Sequence, residues 1–179
     1  MKRLSLLALL LIVTAGLASC GGGSGTEPAT PDQTAQSAAP AAPKSVGACS
    51  LLTADEAKAI LGEEAQPNEG AGASTVSGCN WGTSSGTGLG IMVRQATSAG
   101  EAQAVYANAI GQSQSLSGVP PQDMAGYGDK AYWAGGKLKQ LNVFKDNYWV
   151  IISVFTLRKD NDPLAMAKAA ADKAIPRLP

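Results

Sequence analysis

The chemistry open to this chain starts from three cysteines, Cys20, Cys49 and Cys79, and from the absence of any histidine. Without histidine the commonest general base is missing, and so are the usual nucleophile triads. Two thiolates do not complete a structural zinc site, and the Cys-x-x-Cys spacing of a redox pair is not present. Serine chemistry fares no better, since neither Gly-x-Ser-x-Gly nor Ser-x-x-Lys occurs. Gly86-x-Gly88-x-Gly90 is glycine-rich, but it leads into an apolar run and lacks the lysine of a phosphate loop. Asp160-Asn161-Asp162 continues with Pro163, where a calcium loop needs glycine. Asp55/Glu56 and Glu63/Glu64 are sequence neighbours and do not face one another as a catalytic pair would. The expectation is a protein that is not an enzyme and holds no cofactor and no metal.

Aromatic side chains offer the other route to function. Trp81, Tyr132, Trp133, Tyr148 and Trp149 all fall on expected strands, where sequence neighbours point to opposite faces. One member of each adjacent pair is free to leave the core. Trp81, Trp133, Tyr148 and Trp149 beside Lys137 and Lys139 make a candidate patch for a lipid, a glycan or an envelope-protein partner. The competing assignment puts the tryptophans in the core and the lysines along an edge strand.

These elements must be placed somewhere, and the N-terminus says where. Lys2 and Arg3 precede Leu4 to Leu17, an apolar run too short to span a bilayer but matched to a secretory leader over residues 1–19. Leu17-Ala18-Ser19-Cys20 then resembles the lipobox of bacterial lipoproteins. The resemblance implies cleavage before Cys20, a diacylglyceryl thioether on its sulfur and an acylated amino end, with palmitate a typical chain. Two or more acyl chains hold a protein stably on a membrane where one does not. The expected location is the outer face of the cell membrane, or the outer membrane, with the domain exported.

Residues 20–45 carry the anchor and a Gly/Pro/Ala-rich stretch without a single Val, Ile, Leu or aromatic residue. Such a composition cannot offset the entropy of ordering. It reads as a disordered tether whose ends lie roughly 25–30 Å apart as a flexible coil and about 80–90 Å when stretched. Without residues 1–19 the chain loses Lys2 and Arg3 from 14 basic and 14 acidic side chains, which leaves a net charge of −2. No basic stripe points to nucleic acid.

Residues 46–179 are long enough for one real core. Thr53-Ala54-Asp55-Glu56 is a capping box that starts a helix ending near Leu61-Gly62, and Ser98-Ala99-Gly100-Glu101 repeats the pattern. Ala102, Val105, Tyr106, Ala109 and Ile110 make one apolar face of that second helix, which Gly111 is expected to end. Asp162 and Pro163 open a third helix that runs to Pro176. Strands are expected near Cys79 to Thr83, Leu89 to Arg94, Lys130 to Ala134, Leu138 to Lys145 and Tyr148 to Leu157. Asp146-Asn147 suits the hairpin turn between the last two, and "YWVIISVFTL", apolar on both faces, reads as a central strand. Residues 63–76 and 113–128 read as loops. The order α-β-β-α-β-β-β-α gives an α+β fold, an antiparallel-rich sheet of about five strands with helices packed on it.

With Cys20 assigned to lipid, an exported chain retains two cysteines, which most simply form one structural disulfide, Cys49–Cys79. "CSLLTADEAKAILG" at residues 49–62 and "GCNWG" at residues 78–82 resemble a family of bacterial envelope lipoproteins classed as domains of unknown function. The resemblance rests on Cys49, Leu51, Leu52, Thr53, Leu61, Gly62, Cys79 and Trp81. It implies a small α/β domain behind a lipidated cysteine, with the two later cysteines bridged, and hands over no catalytic residue. The functional expectation is a non-enzymatic accessory module that binds a ligand or partner at the envelope. The alternative is a structural or assembly lipoprotein with no small-molecule site.

Overall fold

The computed structural model describes residues 46–179; the expected leader, Cys20 and tether lie outside the described residues. A single 3-10 turn, Ala48–Ser50, precedes helix α1, Ala54–Leu61. Strands β1 (Gln66–Ala73), β2 (Val76–Gly82) and β3 (Gly88–Gln95) follow. Helix α2 (Ala99–Ser117) leads to β4 (Gln122–Asp123), β5 (Lys130–Ala134), β6 (Gln140–Lys145) and β7 (Tyr148–Phe155). Helix α3, Pro163–Ala174, and a second 3-10 turn, Ile175–Arg177, close the chain.

The α+β, antiparallel expectation holds, but the strand number does not. The seven strands form one sheet in the order β1-β2-β3-β7-β6-β5-β4, with every neighbouring pair antiparallel. Two meanders, β1 to β3 and β4 to β7, meet where β3 pairs with β7. The extra strands are β1 and β4, in the segments expected to be loops. Both are edge strands, and β1 pairs through its backbone while its described side chains stay exposed. No apolar alternation is needed there, so none is written. Helix α2 also runs past Gly111 to Ser117, and it is Gly118, at φ 79°, that closes it. The buried Ser113 and Ser117 pack the added turns onto the sheet.

β7 is the middle strand, and its two faces differ in cover. Ile91, Ile152 and Leu141 lie in register across β3, β7 and β6, as do Val93, Val150 and Val143. All are fully buried, roofed by α1 and by the alanine face of α3, which includes Ala167, Ala171 and Ala174. Small alanines let the α3 backbone approach the sheet closely. On the opposite face α2 covers only the β5–β6 side, packing Val105, Tyr106 and Ile110 on Tyr132, Ala134 and Phe144. Tyr106 meets Tyr132 and Phe144 edge-on, and Phe144 stacks on Trp149 at 5.4 Å.

Local chemistry pins the ends. Thr53 and Glu56 form the expected capping box at α1. At α2, Ser98 accepts from the Glu101 amide, but the Glu101 carboxylate takes the Thr97 N–H and the Arg94 guanidinium in place of a reciprocal bond to Ser98. Asp146 adopts φ 54° in the β6–β7 turn, as that turn requires. Cys49 and Cys79 are joined, Cα to Cα 5.0 Å, which ties the first 3-10 turn to β2.

Arg177, near the C-terminus, grips Glu56 through both terminal nitrogens at 2.7 and 2.8 Å and also donates to the Leu51 carbonyl. The Arg177 hydrogen bonds, followed by the Thr53 amide, hold the Glu56 carboxyl down at a pKa of about 2. A depressed carboxylate stabilises the fold above its unfolded pKa and loses that contribution as pH falls toward its folded one. Glu56→Gln should therefore cost about 1 kcal/mol at neutral pH, a value reduced for the partial exposure of the pair. Urea titrations of both proteins should show the gap closing between about pH 4.5 and 2. A gap that stays constant over that window would remove the clamp from the stability of the fold.

Candidate functional site

The six residues of the expected aromatic and lysine patch are not brought together. Trp81 and Tyr148 are buried beneath the helices, at 1% and 6% exposure. The Trp81 indole nitrogen has no hydrogen-bond partner among the described residues. Trp133 sits half-buried against the same core. Lys137 and Lys139 belong to the turn between β5 and β6. Only Trp149 points to the half-covered face. The alternation along each strand was legible, but which side the helices take was not.

That half-covered face carries the candidate site. Where α2 lifts off the sheet it leaves a groove of about 290 Å³ against β5, β6 and β7. The size is at the small end of ligand pockets. Ala109, Leu116, Leu138 and Ile151 supply the apolar part of its lining, and Trp149 gives it an aromatic wall. Phe144 backs that indole, and Asn142 fixes its edge by accepting from Nε1 at 3.1 Å. Asn142 is only 2% exposed, and its oxygen is committed, so the amide nitrogen is what it offers a ligand. Gln140 donates from Nε2 to Ser153 Oγ at 3.2 Å, which leaves its carbonyl oxygen as an acceptor. From α2, Ser113 Oγ reaches the Ala109 carbonyl at 2.8 Å and the Tyr132 hydroxyl at 3.1 Å. Burial pushes the Tyr132 phenol above its ordinary value, so it stays neutral. Gln112 completes the polar lining from the exposed side of the helix.

The lining thus combines amides, hydroxyls, an indole and aliphatic groups, and no charged side chain. Sequence reasoning passed over Gln140 and Asn142, although a polar pair at period two inside "QLNVFK" is visible in the chain. Their partners on α2 are far away in sequence and enter only through the sheet order.

A second, wider furrow of about 620 Å³ runs between α1 and α3. It is lined by alanines, Ile60 and Met166, with Asp55, Glu56 and Lys173 at its rim. Glu56 is already held by Arg177, and no polar groups converge on its floor. Among the described residues no cluster of three or more Cys, Asp or Glu is arranged for a metal, and no helix is long and apolar enough to cross a membrane.

No curated protein and no solved structure matches the chain. The profile of the family described as "Protein of unknown function (DUF3558)" matches residues 15–177, nearly all of the sequence, and the chain belongs to that family.

Proposed function

We propose that the protein is a lipid-anchored lipoprotein of the cell envelope whose folded domain binds a ligand or partner and performs no chemistry of its own. One observation carries the binding half of this reading. Neutral polar groups from α2, β5 and β6 converge with an indole in one groove, the arrangement of a few placed polar groups in an otherwise apolar pocket that suits ligand binding. The absence of a titratable base from that lining supports the non-catalytic half. The anchor rests on the lipobox-like run ending at Cys20 and on the leader before it.

Two measurements test the two halves. Cys20→Ser, or treatment with globomycin, should move the protein from the membrane fraction to the soluble fraction. Unchanged fractionation would end the anchor assignment. Native mass spectrometry of the full chain, purified in mild detergent, should show an added mass that is absent from Ala109→Trp, whose new ring fills the groove. A wild-type protein without added mass, or a variant that keeps it, would take binding away from this groove.

A further inference from the structure

The groove does not stop at α2; it opens onto the uncovered half of the sheet, and that surface has a consistent chemistry. Asn80, Gly90, Ser153 and Gln140 stand side by side in register across β2, β3, β7 and β6. They form one uncharged row with the groove at its end. Gly78, Gly82, Gly88 and Gly90 share this face and remove side chains beside the row. At Gly90 the space is taken, since a Cβ there would come within 2.8 Å of Asn80 Oδ1. The result is a shelf in which the Asn80 side chain and the Phe155 ring lie over the buried Gly90, with the half-buried Met92 on the same face. Phe155 leans over Gly88 and Gly90 and is 57% exposed. Trp149 and Phe155 are on the same face of β7, six residues apart, which puts their Cα atoms about 20 Å apart along the strand. Arg94, on the same face of β3, is engaged by Glu101 at 2.9 Å.

Each alternative class of ligand meets a specific obstacle. An ion would give up its hydration with no counter-charge in return. An acyl chain would strand the amides and hydroxyls of the row. A peptide strand needs free backbone groups, and here those of β3, β6 and β7 are used within the sheet. A sugar ring presents an apolar C–H face with hydroxyls at its rim that both donate and accept, which matches an indole or phenyl platform bordered by amides. Taking the groove to be a binding site, we propose that it and the adjoining shelf bind an uncharged oligosaccharide. Trp149 and Phe155 are the ring platforms, and Gln112, Gln140, Asn142 and Asn80 contact the hydroxyls.

The test uses the full chain in a detergent without a sugar headgroup, such as lauryldimethylamine oxide. The probes are cellotetraose, chitotetraose, maltotetraose and mannotetraose, with tetragalacturonate, laurate and tetra-alanine as other classes. Calorimetry and saturation-transfer NMR should show at least one neutral tetrasaccharide binding with a Kd of about 1 mM or tighter. Affinity should be the same in about 50 and 500 mM NaCl, because no ion pair is made. Trp149→Ala and Phe155→Ala should each weaken it about tenfold. The exposed Phe155 should be removable without a change in melting temperature. Silence from all four neutral sugars at about 10 mM, a steep salt dependence, or binding indifferent to Phe155→Ala would each overturn the glycan assignment. If laurate or tetra-alanine binds and is excluded by Ala109→Trp, the groove remains a binding site with a different ligand. If no probe binds and no added mass is found, both readings fall.

Discussion

Replacing Cys49 and Cys79 together by alanine should lower the melting temperature by about 10–15 °C. The bridge spans 30 residues of sequence. In the chain-entropy account a loop of that length is worth about 3–4 kcal/mol, through the freedom it removes from the unfolded chain. Native packing adds to this. Cys79 is 1% exposed in β2 between the edge strand and β3, and the 3-10 turn it holds brings Ala48, Leu51 and Leu52 into the core. Scanning calorimetry of the oxidised protein, the protein reduced with dithiothreitol and the double variant should give one high transition and two similar low ones. A drop under about 3 °C would mean that the turn stays docked without its covalent link.

The second large effect lies at the centre of the sheet. Ile152 is fully buried on the middle strand, beside Ile91 on one side and Leu141 on the other. Ile152→Ala leaves a cavity between the sheet and the alanine face of α3, which has no long side chains to fill it. The expected cost is about 3–5 kcal/mol. Ile151, its sequence neighbour, points the other way into the groove and is only half-buried. Ile151→Ala should cost about 1 kcal/mol. Urea unfolding followed by tryptophan fluorescence separates the two. Equal losses would contradict the difference in cover between the two faces.

That pair of isoleucines also shows how much of the fold could be read from the chain. "YWVIISVF" is apolar throughout one phase and at all but Ser153 in the other, and it became the middle strand with one face roofed and the other partly so. The capping box at Thr53 and the Asp146 turn were equally visible, because each is a local rule written in adjacent residues; the cysteine pair, 30 residues apart, was visible only by counting the cysteines left after Cys20. β1, with "QPNEGAGA", was not. An exposed edge strand is held by its neighbour's backbone and needs no particular side chains. Gly111 misled because a glycine inside a helix costs only about 1 kcal/mol, and packing of the next turns outweighs it. The groove was half legible. Trp149, Gln140 and Asn142 stand out in the sequence, but Ser113 and Gln112 face them only once β5 and β6 are set beneath α2. Lys137 and Lys139 stand close to the aromatics along the chain, but it is Leu138 between them that lines the groove.

The junction at Cys49 has a mechanical consequence. Three residues after Val46, the chain is bonded covalently to β2, itself hydrogen-bonded on both sides. At the other end of the chain, Arg177 is hooked to Glu56 and to the Leu51 carbonyl, only two residues beyond Cys49. A pull applied ahead of Val46 therefore cannot peel the domain open from its first residue. The load passes at once into a strand that must shear against both neighbours, so a domain dragged from its N-terminal end resists as a unit.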